Sequence, residues 1–99
     1  MVRDVDDKFF ERADAHIHLS NDQLKEISRG KVSASMMYSV ARFNAWNSAC
    51  GFANAEEMAT ERQEHLDYYV TEYRKMLEEN LDDYIENFAK YMAAPDEKA

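Results

Sequence analysis

The sequence has little of what β-sheets, disulfide frameworks and membrane spans require. Two glycines and one proline occur in 99 residues, so tight turns are scarce and a sheet of short strands is disfavoured. The single cysteine, Cys50, excludes an intramolecular disulfide and gives no sign of an oxidising compartment. No apolar run approaches the roughly 20 residues of a membrane helix, and the start MVRDVDDKFF lacks the apolar segment of a signal peptide. We therefore expect a cytoplasmic protein that does not enter a membrane.

Positive charge is also scarce. The chain carries 12 Lys and Arg residues against 20 Asp and Glu residues, which gives a net charge of −8. Nucleic-acid phosphates and anionic lipid surfaces both attract clustered cationic side chains, so neither is an expected partner. An aromatic share of 12% distinguishes the chain from acidic disordered proteins, which lack the residues that drive collapse.

What the sequence does have is an eleven-residue apolar repeat between Ala55 and Met92. Eleven residues complete three turns at about 3.67 residues per turn, so the members share one nearly straight stripe of a helix. The three series are Ala55, Leu66, Leu77 and Phe88; Ala59, Val70, Leu81 and Met92; and Arg62, Tyr73 and Tyr84. A continuous helix of this length would extend about 57 Å, more than the rest of a small chain can cover.

Two further helices are predicted before this repeat. The first runs from about Asp6 to Ser28; Ser20 and Gln23 resemble a capping box, but the apolar stripe keeps its phase there and favours continuity. Gly30 is expected to close the helix in a left-handed conformation, with Ser33 as the next N-cap.

The second helix should end at Ala49 or Cys50, before Gly51. It is apolar nearly all round, which is typical of a helix buried on most sides. We accordingly expect Cys50 to be a small buried hydrophobic residue.

The third helix is predicted from an Asn54–Glu57 cap to about Ala93. Like-charged pairs four residues apart, such as Glu79 with Asp83, each cost a few tenths of a kcal/mol. A break near Asn80, which would create a fourth helix, is the alternative. Burial of the apolar stripe should outweigh this repulsion, so we favour an unbroken helix.

Together these patterns predict an all-α three-helix bundle with a long C-terminal helix. Residues 6–93 would form a single domain between a mobile N-terminus, residues 1–5, and a mobile tail, residues 94–99. Because the part of the third helix beyond Asn80 has no helix to cover it, we expect the bundle to be completed by dimerisation. The residues predicted to mediate this contact are Leu81, Tyr84, Phe88 and Tyr91.

Polar side chains within the apolar second helix have two interpretations, one structural and one functional. Arg42, Asn44 and Asn47 require partners if that helix is buried, since an unpaired buried polar group costs about 1–3 kcal/mol. Their structural interpretation is an internal network in which Arg42 pairs with a carboxylate of the third helix. Their functional interpretation is a polar groove beside Trp46 that binds a small ligand or a metal, with His16 at the edge of the core.

Residues with catalytic or metal-binding chemistry do not form a recognisable motif. Asp14 with His18 and Glu61 with His65 lie four residues apart, but such pairs are expected by chance among 20 acidic residues and are interpreted as surface charge. The sequence contains no phosphate-binding glycine loop and no Cys-x-x-Cys pair. We predict no catalytic residue, no metal site and no cofactor.

Four segments resemble a small bacterial family, the one designated domain of unknown function 3144. They are FFERADA from Phe9, GKVSAS from Gly30, ARFNAW from Ala41 and KMLEENLDDYI from Lys75. The similarity extends from about Asp6 to Tyr91 and implies a short, stand-alone bacterial protein. It implies no activity, ligand or catalytic residue.

The sequence therefore best supports a non-enzymatic structural or interaction protein that forms a homodimer. A different protein partner is a second expectation. The alternative is a small-ligand or metal-binding protein that uses Arg42, Asn44, Trp46 and His16.

Overall fold

The computed structural model describes residues 5–93, and throughout this range its regular structure is helical. The all-α class is therefore confirmed, but the number of helices is five rather than three within the described part of the chain. The helices are α1 (Phe9–Gln23), α2 (Arg29–Ala49), α3 (Ala55–Thr60), α4 (Arg62–Glu86) and α5 (Phe88–Tyr91). The predicted mobile ends lie outside the described residues, apart from Val5.

Helix α1 begins three residues later than predicted because Asp6 lies ahead of it in a turn. The Asp6 carboxylate accepts a hydrogen bond from the Lys8 backbone N–H at 3.0 Å and pairs with Arg12 at 3.3 Å. The N–H of Lys8, and then the guanidinium of Arg12, lower the pKa of Asp6 below its usual value. The carboxylate thus stabilises the start of the helix from outside it, where negative charge is favoured.

The end of α1 lies at Gln23 and not at Ser28. The helix continues through Ser20, as expected, so the possible capping box does not start a new helix there. Tighter bonds then follow, from Lys25 N–H to the Asp22 carbonyl and from Glu26 N–H to the Gln23 carbonyl. These three-residue turns end the regular helix before the next one starts.

Helix α2 begins at Arg29, directly after Ser28, so the predicted break at Gly30 and the cap at Ser33 are both wrong. The Ser28 carbonyl accepts from the N–H groups of Lys31 and Val32, each at 3.1 Å. Gly30 therefore lies inside the first turn and has no positive φ. The predicted end at Ala49 is confirmed.

The cap of α3 agrees with its prediction. The Asn54 side-chain oxygen accepts from the Glu57 backbone N–H at 2.9 Å, and the Glu57 carboxylate accepts from the Ala53 N–H at 3.0 Å. The Asn54 bond satisfies an N–H that has no partner inside the helix, as in a capping box, whereas the Glu57 carboxylate reaches the residue before the cap.

The prediction of a single long C-terminal helix is wrong, because this segment forms α3, α4 and α5. Glu61 (φ −103°, ψ 11°) separates α3 from α4, and Asn87 (φ −113°, ψ 27°) separates α4 from α5. Both pairs of angles depart from the helical values near −63° and −42°. The alternative break at Asn80 is also wrong, because the Asn80 amide donates to the Met76 carbonyl at 2.8 Å within a continuous helix.

A local hydrogen-bond cluster accompanies the end of α4. The Asn87 side-chain amide donates to both the carbonyl and the carboxylate of Asp83, at 3.1 and 2.9 Å. The Tyr91 hydroxyl donates to the same carboxylate at 3.4 Å. Asparagine side chains that bond to nearby backbone groups compete with the helix ladder, which favours a terminus at this position.

The chain divides into two compact units, of which the first ends at Ala59 and the second begins at Thr60, the last residue of α3. Among the described residues, Val32 and Ser48 are the only buried ones, with 5% and 7% of their surface exposed. The expectation that α2 is buried on most sides is therefore wrong, and Cys50, predicted to be buried, is exposed. The single-domain assignment of residues 6–93 stays a prediction.

Gly30→Ala should stabilise the protein. A Cβ at this position would meet no atom within 4 Å, and the backbone is helical, so alanine lowers the entropy of the unfolded chain without strain. We expect the free energy of unfolding to rise by about 0.4–1 kcal/mol, measured by urea denaturation at one fixed protein concentration. Gly51→Ala, outside the helix, is the matched control and should gain less. Destabilisation by Gly30→Ala would instead support the left-handed conformation expected from the sequence.

The Asp83–Tyr91 contact should be visible in the titration of the phenol. The hydrogen bond to Asp83, and then the negative charge of its carboxylate, raise the pKa of Tyr91 above its usual value. Since the folded-state pKa is raised, this contribution to stability is present below the unfolded value and is lost as pH rises through the folded one. A difference titration at 295 nm against Tyr91→Phe should give the higher pKa, and Asp83→Asn should return it toward the usual value. An unchanged pKa in Asp83→Asn would contradict the contact.

Candidate functional site

An exposed apolar stripe runs along α4 in the second unit. Its members follow the eleven-residue repeat and therefore share one side of the helix. Each has between 42% and 53% of its surface exposed. We name this surface the α4 stripe; its residues are Leu66, Val70, Tyr73, Leu77, Leu81 and Tyr84.

The predicted self-association residues extend this stripe toward the C-terminus. Leu81, Tyr84 and Phe88 are 53%, 50% and 63% exposed, and Tyr91 is half-buried. The rings of Tyr84 and Tyr91 lie 5.0 Å apart and are tilted by 58°, so the turn at Asn87 brings them together. The Lys90 amine lies 5.9 Å from the Tyr91 ring centre, a distance that permits a cation–π contact.

The first unit has a second exposed surface, an open depression on one side of α2. We name it the α2 face; its residues are Tyr38, Ser39, Arg42, Phe43, Ala45, Trp46 and Ala49. The rings of Phe43 and Trp46 lie 5.3 Å apart with an interplanar angle of 49°. Tyr38, Phe43 and Trp46 are 59–68% exposed. The remaining lining residues apart from Arg42 are small.

The five residues proposed from sequence for a ligand groove do not all lie together. Arg42 and Trp46 are part of the α2 face. Asn44 and Asn47 lie outside it, on other sides of the same helix, where Asn44 is half-buried and Asn47 is exposed. His16 is exposed on α1, so its expected position at the edge of a core is wrong.

Some residues of these surfaces were not singled out from the sequence. Tyr38 and Phe43 belong to the α2 face, although neither is among the five residues expected from the sequence to line a groove. The spacing of Tyr38, Arg42 and Trp46, four residues apart each time, could have indicated a shared side of the helix. On α4, the exposed stripe begins at Leu66, well before the segment beyond Asn80 to which self-association was assigned.

The two surfaces lie on helices of opposite charge. Helix α2 contains Arg29, Lys31 and Arg42 and no acidic residue, so its formal charge is +3. Helix α4 contains eight acidic and three cationic side chains, a formal charge of −5 with His65 neutral. The excess of negative charge in the chain is thus concentrated away from α2.

Groups with metal-binding chemistry remain separate in the part of the chain that the structure describes. Glu61 and His65 approach to 3.9 Å as a pair one helical turn apart. No cluster of three or more His, Cys, Asp or Glu side chains suited to a metal ion occurs among residues 5–93. Within the same range, no helix has both the length and the hydropathy needed to cross a bilayer.

Comparison with known proteins places these features in a family. A family model described as a protein of unknown function, DUF3144, matches residues 9–85. The NMR structure of the protein NB7890A from Shewanella sp. is similar to this chain, with a TM-score of 0.75 and 44% sequence identity. The similarity covers 90% of this chain and 95% of that one. Among curated proteins, none matches. Since the family model matches well over half of its residues, the chain belongs to the DUF3144 family, as its sequence segments indicated.

Proposed function

We propose that this protein is a non-enzymatic structural or interaction module that acts as a homodimer, with Leu81, Tyr84, Phe88 and Tyr91 in the contact. The proposal is carried by one observation: Leu81, Tyr84 and Phe88 are at least half exposed in a chain whose only buried apolar residue, among those described, is Val32. We also propose a cytoplasmic location, in keeping with a single cysteine.

The free energy available from covering this surface is large compared with the stability of a small domain. Full burial of a leucine, phenylalanine or methionine side chain contributes about 1.5–3 kcal/mol. The six residues of the α4 stripe, together with Phe88, are seven large apolar side chains that are 42–63% exposed. A typical domain has a net stability of only about 5–15 kcal/mol. The free energy that burial of this surface would contribute is of comparable size.

The composition of the surface also supports a contact with protein. Tyr73, Tyr84 and Tyr91 combine a large apolar ring with a polar hydroxyl, which suits an interface that is partly wet. The carboxylates on the other sides of α4 keep those sides in solvent and leave the stripe as the apolar side.

Tyr84→Glu should dissociate the homodimer. The substitution places a charge in the centre of the contact, where desolvation is costly, and we expect the dimer dissociation constant to rise at least about tenfold. Sedimentation velocity over a micromolar concentration series measures this change. Phe88→Glu should act in the same direction.

Tyr68→Glu is the matched control for Tyr84→Glu. It makes the same substitution on the same helix, but Tyr68 lies outside the stripe, and the dissociation constant of this variant should stay near that of the unmodified protein. A protein that is monomeric at 100 μM with a normal cooperative melting transition would contradict the proposed function.

A small ligand on the α2 face is the second candidate, favoured by the arrangement of an exposed guanidinium, Arg42, beside the Phe43–Trp46 ring pair. Such a surface suits an anionic aromatic compound through ion pairing and stacking. A thermal-shift screen of metabolites, together with elemental analysis for a bound metal, tests it. A shift of several degrees that Trp46→Ala abolishes would favour this function over self-association.

A further inference from the structure

Within residues 5–93, the side-chain hydrogen bond between α4 and the short helix α5 is made by one carboxylate, that of Asp83. This carboxylate accepts from the Tyr91 hydroxyl at 3.4 Å and from the Asn87 side-chain amide at 2.9 Å. The same amide donates to the Asp83 carbonyl at 3.1 Å. Beside this cluster, the rings of Tyr84 and Tyr91 lie 5.0 Å apart. Asp83 thus links the end of α4, the turn at Asn87 and the last residue of α5.

Helix α5 is too short to be stable by itself. It contains four residues, about one turn, whereas isolated helices below about 12 residues are marginal in water. Its turn contains two backbone hydrogen bonds, from the Tyr91 N–H to the Asn87 carbonyl and from the Met92 N–H to the Phe88 carbonyl. A first helical turn is unfavourable because several dihedral angles are fixed for few hydrogen bonds. The order of α5 therefore depends on its side-chain contacts with α4.

Asp83 does not lie on the α4 stripe itself. Successive residues of an α-helix are about 100° apart, so Asp83 is turned away from Tyr84, the next residue. Phe88 and Tyr91, in contrast, are two of the four residues assigned to self-association, and both follow the interruption at Asn87. Any effect of Asp83 on the contact must therefore pass through the residues that it holds.

We propose that Asp83 is a positioning residue for self-association. Through Asn87 and Tyr91 it fixes α5, so that Phe88 and Tyr91 are ordered before a second copy binds. Side chains that are ordered in advance lose less entropy on binding, which raises the affinity without any new contact. This inference rests on the proposed function, since it names what prepares that contact.

Removal of the carboxylate tests this role. Asp83→Ala should raise the dimer dissociation constant about tenfold, because the contact must then order Phe88 and Tyr91 in both copies. Asp83→Asn keeps an oxygen that can accept from Asn87 and Tyr91, so its dissociation constant should stay within about threefold of the unmodified value. Sedimentation velocity over a micromolar concentration series measures both.

Asp82→Ala is the matched control for Asp83→Ala. It removes the same charge from the neighbouring residue of α4, which is exposed and whose side chain makes no hydrogen bond or ion pair with any described residue. Asp82 is also turned away from Leu81, the residue before it on the stripe. The dissociation constant of this control should stay within about threefold of the unmodified value.

A cycle of variants separates positioning from a general effect on the protein. The double variant Phe88→Ala and Tyr91→Ala removes the two side chains through which Asp83 is proposed to act. Adding Asp83→Ala to this double variant should change the dissociation constant by less than about threefold, compared with about tenfold in the unmodified protein.

The order of α5 can also be measured directly on dilute, monomeric protein. The N–H groups of Tyr91 and Met92 are hydrogen-bonded within this turn. Their hydrogen exchange should be faster in Asp83→Ala than in Asp82→Ala, because α5 then opens more often. Equal exchange rates in the two variants would contradict the proposed role of Asp83.

The outcomes distinguish this inference from the proposed function. If Tyr84→Glu dissociates the dimer but Asp83→Ala behaves like Asp82→Ala, the proposed function stands and the positioning role is wrong. If Asp83→Ala weakens the dimer equally when Phe88 and Tyr91 are already alanine, Asp83 acts by another route and the inference is again wrong. A protein that is monomeric at 100 μM would contradict the proposed function and this inference together.

Discussion

The structure depends on a mismatch between the apolar surface of its helices and the surface that the described chain covers. Amphipathic helices gain most of their stability from packing an apolar side, because propensity alone leaves short helices marginal in water. Here Val32 is the only large buried apolar residue among residues 5–93, whereas side chains such as Phe10, Phe43, Trp46 and Phe88 are 59–71% exposed. Scattered exposed apolar residues are ordinary, but a continuous row along one helix indicates a contact.

Local hydrogen bonds, rather than apolar packing, decide where the helices begin and end. Asn54 and Asn87 illustrate this in opposite directions: the first side chain starts α3 by accepting an N–H, and the second accompanies the end of α4 by donating to Asp83. Asn80 makes a similar bond to its own helix without interrupting it. The same residue type therefore caps, ends or tolerates a helix according to the groups within reach.

Charge is distributed so that the two exposed surfaces differ in electrostatic character. A chain with a net charge of −8 keeps one long helix free of acidic residues, and that helix carries the Phe43–Trp46 pair. Segregation of this kind orients an association, because like charges disfavour the contact between identical helices.

The sequence by itself determined the all-α class, the end of α2 at Ala49, the cap at Asn54 and the family, since each follows from local spacing or from matched residues. It did not determine the start of α2 at Arg29, because Gly30 adopts helical and left-handed conformations with similar ease. Nor did it determine the interruptions at Glu61 and Asn87. The eleven-residue repeat continues across both residues, so the apolar spacing carries no sign of their non-helical backbone angles. Only the tertiary structure decided that α2, apolar nearly all round, is largely exposed in this chain, because burial depends on which surfaces meet and not on composition.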